Sequence, residues 1–311
     1  MIGLIDVIIP VYKPDKRFLV LMERLKKQTV SIHEILVIHT RCQGDKWEEV
    51  YEKALEQYEN VTIYHLDRDE FDHGGTRHFA MEQSKADIVV LMTQDALPAN
   101  VKLIEKLTRN LTGNVAAAYA RQLPTKNCCV FERFTRQFNY PAQSREKSFK
   151  DLPILGIKTF FCSNVCAAYK KNIYDDLGGF IRRTIFNEDM IYASKAIKEG
   201  FVIRYEAEAC VYHSHNYSNL EQLRRNFDLG VSQVQHPEVF AAITSEAEGS
   251  RLVKEATDYL IGQKQYSKIP HFYLQCASKY VGYLLGKNYK YLPKKAIEHL
   301  TMNKEYWKAG K

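Results

Sequence analysis

HGGTRHFAMEQSKADIVVLMTQDALP, residues 73–98, reads as a glycine turn, a helix, a buried strand, and a carboxylate standing where the strand stops. Gly74 and Gly75 permit tight backbone approach, and Thr76 is expected to cap the helix that follows. Ile88, Val89, Val90, Leu91 and Met92 form an unbroken apolar run, the pattern of a central strand covered on both faces. Asp95 arrives directly after it, held in a short loop by Pro98. Open α/β sheets bind ligands beyond the carboxyl ends of their strands. An acid there is a candidate metal or substrate ligand, and its plain alternative is a cap for the next helix.

Strand and helix patterns alternate on both sides of this stretch. Ile5–Val11, Glu34–Ile38, Val61–Leu66 and Val115–Ala120 read as strands. Helices are expected around Leu19 to Leu25, over Trp47–Tyr58 and over Asn100–Leu111. This order predicts a doubly wound, mostly parallel sheet with helices on both faces. No P-loop is present, and no G-x-G-x-x-G follows the first strand, which disfavours the usual dinucleotide fold. Gln122–Phe160 reads as an irregular insertion, and Phe161–Tyr169 as a strand-like run. Asn172–Leu177 is a short helix stopped by Gly178 and Gly179, and Met190–Lys198 another with Asn187 as N-cap. Val202–Glu206 and Ala209–Tyr212 are short strands, and helices follow from Leu220. The expected division is a catalytic domain over 1–245 and a basic helical extension over 246–311.

Composition narrows the class. The 311 residues are 45% hydrophobic and 26% charged, ordinary for a globular chain. No apolar run is long enough to span a membrane and no signal-peptide pattern opens the chain, so a cytoplasmic location is expected. The seven cysteines lack a paired framework; Cys162 and Cys166 have no second close pair, which disfavours a structural zinc. The net charge of +7 is concentrated: residues 264–311 carry ten lysines against Glu298 and Glu305, and the remainder is nearly neutral. No recognition motif accompanies those lysines, so nucleic-acid binding is disfavoured.

Three further polar clusters follow Asp95, each with a plain reading. Glu188-Asp189 lies at a helix start, where acids are electrostatically favoured anyway. His213-Ser214-His215 would put both imidazoles on one face, suiting a metal or a hydrogen-bonded structural pair. QLRRNFD at 222–228 could offer Arg224 or Arg225 to a phosphate, or simply expose them on a helix.

In order, DVIIPVYKP at 6–14, FDHGGTRHFA at 71–80, LMTQDALP at 91–98 and YARQLP at 119–124 resemble the family 2 glycosyltransferases of the GT-A fold. FERFTRQFNYP at 131–141, FCSNVCAAYKK at 161–171, FNED at 186–189 and VYHSHNYS at 211–218 extend the resemblance, as does KYVGYLLGKNYKYLP at 279–293. Within that family the wording is similar to bacterial rhamnosyltransferases. The resemblance implies an inverting transfer of L-rhamnose from dTDP-β-L-rhamnose to a glycan acceptor on a polyprenyl diphosphate, in cell-wall or capsular polysaccharide assembly. It implies Asp189 as general base with Glu188 in support. It implies donor contacts from Pro10, Tyr12, Gly75, Arg77, Gln94 and Asp95, with Pro10 and Tyr12 flanking the base and Arg77 facing the diphosphate. It implies a divalent cation, Mg²⁺ or Mn²⁺, on Asp95 and His213. Thr93 stands where the family's Asp-x-Asp pattern has its first acid, and His39-Thr40 where an acid often reads the base. Arg121, Asn164, His215 and Arg225 are candidates for acceptor or phosphate contacts. Tyr273, Cys276, Tyr280 and Leu284 share a helical face among the tail lysines, suited to an anionic membrane surface, to the catalytic domain, or to a homodimer. The competing expectations are another donor such as a UDP-hexose, or a non-catalytic glycan- or membrane-binding protein with a degenerate metal motif.

Overall fold

A computed structural model describes residues 3–241 and 246–308. The expected division between 245 and 246 lies at the edge of a segment outside the described residues. Nine strands form one sheet: β1 (Ile5–Val11), β2 (Glu34–Thr40), β3 (Val61–Leu66), β4 (Ile88–Met92), β5 (Leu97–Pro98), β6 (Val115–Leu123), β7 (Arg145–Lys147), β8 (Cys166–Lys170) and β9 (Val202–Tyr212). They run in the order β3-β2-β1-β4-β8-β6-β9-β5, with β7 against β9. The β1–β2, β2–β3, β1–β4 and β6–β9 pairs are parallel, and β8 enters antiparallel between β4 and β6.

Seven helices reach ten residues among the described ones: α1 (Lys16–Lys26), α2 (His73–Gln83), α3 (Val130–Asn139), α4 (Glu188–Lys198), α5 (Asn219–Gln235), α6 (Glu246–Gly262) and α7 (Ile269–Lys287). Strand alternation divides the core between the two faces of the sheet. Val7, Ile9, Val37 and Val90 face Phe18, Leu21, Met22 and Trp47 on one side. Ile8, Leu36, Val89 and Leu91 share the other with Tyr169, Tyr174, Phe180 and Tyr192. Each fully buried side chain of this size contributes roughly 1.5–3 kcal/mol, and that two-sided burial accounts for the all-apolar β4.

Several elements differ from their sequence-based expectation, each for a local reason. Asp72, not Thr76, caps α2, its carboxylate accepting from the Gly74 and Gly75 N–H groups at 2.9 and 2.8 Å. Asn187 precedes α4 in the left-handed region (φ 67°) without capping it, because its amide is turned to Ser232 at 3.0 Å. The Trp47 helix is a π turn, Trp47–Glu52, that ends in a single turn at Leu55. The Asn100 side chain accepts from the Lys102 N–H, so the next helix starts only at Leu103. The supposedly irregular insertion contains α3, whose Phe131, Phe134 and Phe138 recur at helical spacing. β9 is continuous, with a bulge against β6 between Ala120 and Arg121 where two strands were expected.

The helical layer crosses the expected division, because α7 packs along α5 with the backbones nearly touching. A Cβ on Gly282 would stand 2.1 Å from the Leu223 carbonyl oxygen, and one on Gly286 2.1 Å from that of Phe227. Of the predicted tail face, Tyr273, Tyr280 and Leu284 are exposed, while Cys276 turns half inward to the Phe131–Phe272 cluster.

Candidate active site

The β4 strand delivers Thr93-Gln94-Asp95 into a turn closed by the Ala96 N–H on the Thr93 carbonyl. Gln94 makes a paired contact with the Tyr12 backbone. Its carboxamide accepts from the Tyr12 N–H and donates to the Tyr12 carbonyl, both at 2.9 Å. It therefore ties the β1 end to the β4 end and sets Tyr12. Asp95 is left facing two imidazoles: Oδ1 lies 3.6 Å from His213 Nε2, and Oδ2 lies 3.6 Å from His215 Nε2. The two Nε2 atoms are 3.0 Å apart, and Arg17 approaches Asp95 at 3.9 Å. His215, expected near acceptor or phosphate, thus joins Asp95 and His213 as a third donor.

Gln122 explains how His213 is held. Its amide nitrogen donates to the Tyr140 hydroxyl (2.6 Å) and to Ser163 (3.0 Å), leaving Oε1 to accept from Arg136 and from His213 Nδ1 at 3.0 Å. The His213 proton is thereby assigned to Nδ1, and Nε2 presents a bare lone pair toward Asp95. Burial, with the Arg136 charge and His215 beside it, holds the His213 pKa well below the ordinary imidazole value and keeps the ring neutral. A neutral imidazole oriented by an amide is the usual form of a metal-bound histidine. The spacing also fits a cation. Neighbouring ligand atoms at about 2.1 Å from an octahedral ion lie about 3 Å apart. The set of two nitrogens and one carboxylate suits Mn²⁺ better than Mg²⁺. Thr93 adds no carboxylate, and its buried hydroxyl has no hydrogen-bond partner.

The acidic pair lies at the start of α4. Glu188 is buried, accepts from the Asn164 side chain at 3.1 Å and lies 3.3 Å from Arg77. Burial opposes its ionisation, but the Arg77 guanidinium and His73 outweigh that and hold its pKa below the ordinary glutamate value. Arg77 is therefore spent on Glu188 and does not face a diphosphate. Asp189 accepts from the Asn164 N–H (3.0 Å) and the Met190 N–H (2.8 Å). Burial, reinforced by the Glu188 charge, pushes its pKa up to about 7.

One tripeptide joins these two clusters. Ser163 supports Gln122 and through it His213; the Val165 carbonyl accepts from the Thr93 N–H at 3.1 Å; Asn164 holds both acids. Asn164 is itself buried, its carbonyl oxygen accepting from Tyr169 at 2.7 Å, so it positions the acids and is closed to an acceptor. Gly75 is likewise structural: a Cβ there would meet the Arg182 carbonyl oxygen at 2.6 Å, where α2 packs on the segment leading to the acids. Arg121 is bonded to the Tyr140 carbonyl at 3.2 Å. Arg225 is exposed, with its guanidinium over Phe186 at 4.6 Å and near Tyr217 at 6.0 Å.

A pocket of about 140 Å³ lies at the ends of β1 to β3. Tyr12, Thr40 and Arg68 line it; Pro10 stands back within β1 and does not. Its far wall is the segment Met302–Tyr306, which sequence reasoning missed. Asp228 holds that wall, accepting from the Thr301 hydroxyl (2.6 Å), the Met302 N–H (2.9 Å) and the Asn303 amide (3.3 Å). Beside the pocket His39 is buried, stacked on Trp47 at 4.0 Å and bonded to Asp45 at 3.1 Å.

Residues 6–178 match the profile of glycosyl transferase family 2. The chain belongs to that family. The transferase is 36% identical to the O-antigen chain rhamnosyltransferase RfbN of Salmonella typhimurium strain LT2, over 97% of this chain and 96% of that one. It is 35% identical to the O-antigen chain rhamnosyltransferase WbaN of Salmonella anatum, over 91% and 88%. In fold the transferase is similar to the mannosyltransferase PcManGT of Pyrobaculum calidifontis, solved with GDP-Man and Mn2+ (TM-score 0.63, 13% identity, 92% and 88% covered). It is also similar to S. aureus TarS 1-349, solved with UDP-GlcNAc (TM-score 0.54, 14% identity, 92% and 91% covered). The transferase thus has the GT-A architecture expected from its motifs, and no helix among its described residues is long and apolar enough to cross a membrane.

Proposed function

We propose that the transferase moves L-rhamnose from dTDP-β-L-rhamnose to a hydroxyl of a polyprenyl-diphosphate-linked glycan during polysaccharide assembly, with inversion. The supporting observation is the Ser163-Asn164-Val165 bridge, which sets a neutral, acid-flanked histidine pair and a carboxylate of pKa about 7 in one frame. Rhamnose is supported by the likeness to RfbN and WbaN. Asp189 takes the acceptor proton as the acceptor oxygen bonds to the anomeric carbon. The bond from that carbon to the diphosphate breaks, and its electron pair leaves with the nucleotide. Attack opposite a β leaving group yields an α-L-rhamnoside. Tyr12 and Arg68 meet the nucleotide; Asp95, His213 and His215 hold the divalent cation. When bound, that cation supplies Lewis-acid neutralisation of the departing diphosphate. The gathering of His215 with Asp95 and His213 argues against a degenerate, merely binding protein.

Tyr273, Leu274, Tyr280, Val281 and Leu284 expose an apolar face on α7 amid the lysine-rich tail. In this reading that face rests on the anionic cytoplasmic leaflet, where lysines and interfacial aromatics act together. A panel of nucleotide sugars screened for thermal stabilisation tests the donor. Stabilisation by dTDP-rhamnose and not by UDP-hexoses is expected; the reverse would overturn the choice of sugar. Loss of that stabilisation in a chelator is expected from the cation, and indifference to chelator would remove it.

A further inference from the structure

Lys279 sits on α7 in a position unusual for a lysine. It is half-buried, has no hydrogen-bond or ion-pair partner among the described residues, and its pKa is lowered by burial. It lines a groove of about 970 Å³ between α6 and α7 whose walls include Phe131, Val253, Ala256, Phe272 and Tyr280. A desolvated ammonium among apolar walls is costly unless an anion accompanies it. The apolar lining has no such need, so the two demands together describe an amphiphile.

Lys279 is the charged residue at the α7 wall of this groove. The charges that act on Lys279 include Glu132 and Arg225. The same two groups, with Arg136, act on His215 beside Asp95. Glu132 is already matched by Arg136 at 2.6 Å, so it does not neutralise Lys279. Lys279 is therefore a cation of this groove that no acid of the described residues pairs.

We propose that this groove holds a single long-chain isoprenyl or alkyl phosphate, its phosphate on Lys279 and its chain between α6 and α7. This rests on the reading of a lipid-linked acceptor and names where that lipid is held: in a groove of the protein beside the α7 face that meets the leaflet.

Calorimetric titration of the full chain with dodecyl phosphate, below its micelle concentration, tests this. Dodecanol and inorganic phosphate serve as the two half-ligands, and dTDP binding is measured in every variant as a check of folding. Dodecyl phosphate is expected to bind more tightly than either half-ligand. Lys279→Met, apolar and similar in length, should weaken it by about tenfold or more, the scale of one charge-assisted hydrogen bond. Lys279→Arg should largely retain it. Equal affinity in wild type and Lys279→Met, or equal affinity for dodecanol, would overturn the proposal. Binding seen only on phosphatidylglycerol vesicles would overturn it in favour of a membrane-facing surface. Dodecyl phosphate bound as expected by a protein that makes no product would leave the groove standing and sink the acceptor reading. Product formation with no amphiphile bound would do the opposite.

Discussion

At the residue scale the site works by setting two neighbouring acids apart. Arg77 keeps Glu188 charged, and that charge together with burial raises Asp189 toward neutrality. A base is most effective when its pKa lies near the working pH. As the proposed base, Asp189 is competent only when deprotonated, so kcat/KM should rise as pH increases through about 7. Asp189→Asn should reduce turnover on the order of 10²–10⁴-fold, with donor binding intact by calorimetry. Retained turnover would refute the base assignment. The same shift affects stability. A native pKa of about 7 against an ordinary 3.8 means the folded state binds the proton more tightly than the unfolded chain does. Its stabilising contribution is present below pH 4 or so and is lost as pH rises toward 7. Asp189→Asn should therefore melt higher than wild type at pH 8, with the difference vanishing in acid; thermal scans across pH decide this. Gln122 is the second residue of consequence. Gln122→Met should weaken divalent-cation binding by about 10- to 100-fold, the usual cost of losing the group behind a ligand, measured by Mn²⁺ titration.

At the scale of elements, close backbone contact does what side chains usually do. The α5–α7 pair leaves no room for a Cβ at Gly282 or Gly286, and the atoms in the way are carbonyl oxygens that cannot rotate aside. Gly286→Leu should be destabilising, at the upper end of about 1–3 kcal/mol or beyond, read as a lowered denaturation midpoint. Local elements were largely legible in the sequence. The apolar runs of β1, β2 and β4 are contiguous signals, and Glu188-Asp189 and His213-x-His215 are compact patterns. What stayed hidden depends on partners distant in sequence. Nothing near Gly75 announces the Arg182 carbonyl, nothing near Gln94 announces the Tyr12 backbone, and Gln122 meets His213 only once β6 and β9 pair. The antiparallel entry of β8 was hidden for the same reason, since strand patterns carry no direction.

At the scale of the whole molecule, the far end of the chain returns to its beginning. Met302–Tyr306 stands against Tyr12 and Arg68, Glu305 lies 3.5 Å from Arg68, and Asp228 pins the return. Asp228→Ala should free that wall and weaken dTDP binding while Asp189-dependent chemistry at saturating donor persists; an unchanged affinity would show the wall to be passive. Removal of the whole region after residue 263 would be a poor probe of membrane contact, because it would strip α7 from α5 as well.

The return has a consequence for how the protein comes into being. A ribosome makes Asp189, His213, His215 and the strands long before it makes Met302–Tyr306. A nascent chain can therefore fold its sheet early yet lacks the far wall of the Tyr12–Arg68 pocket until late in synthesis. If that pocket takes the nucleotide sugar as proposed, its capture is deferred until α5 to α7 already exist.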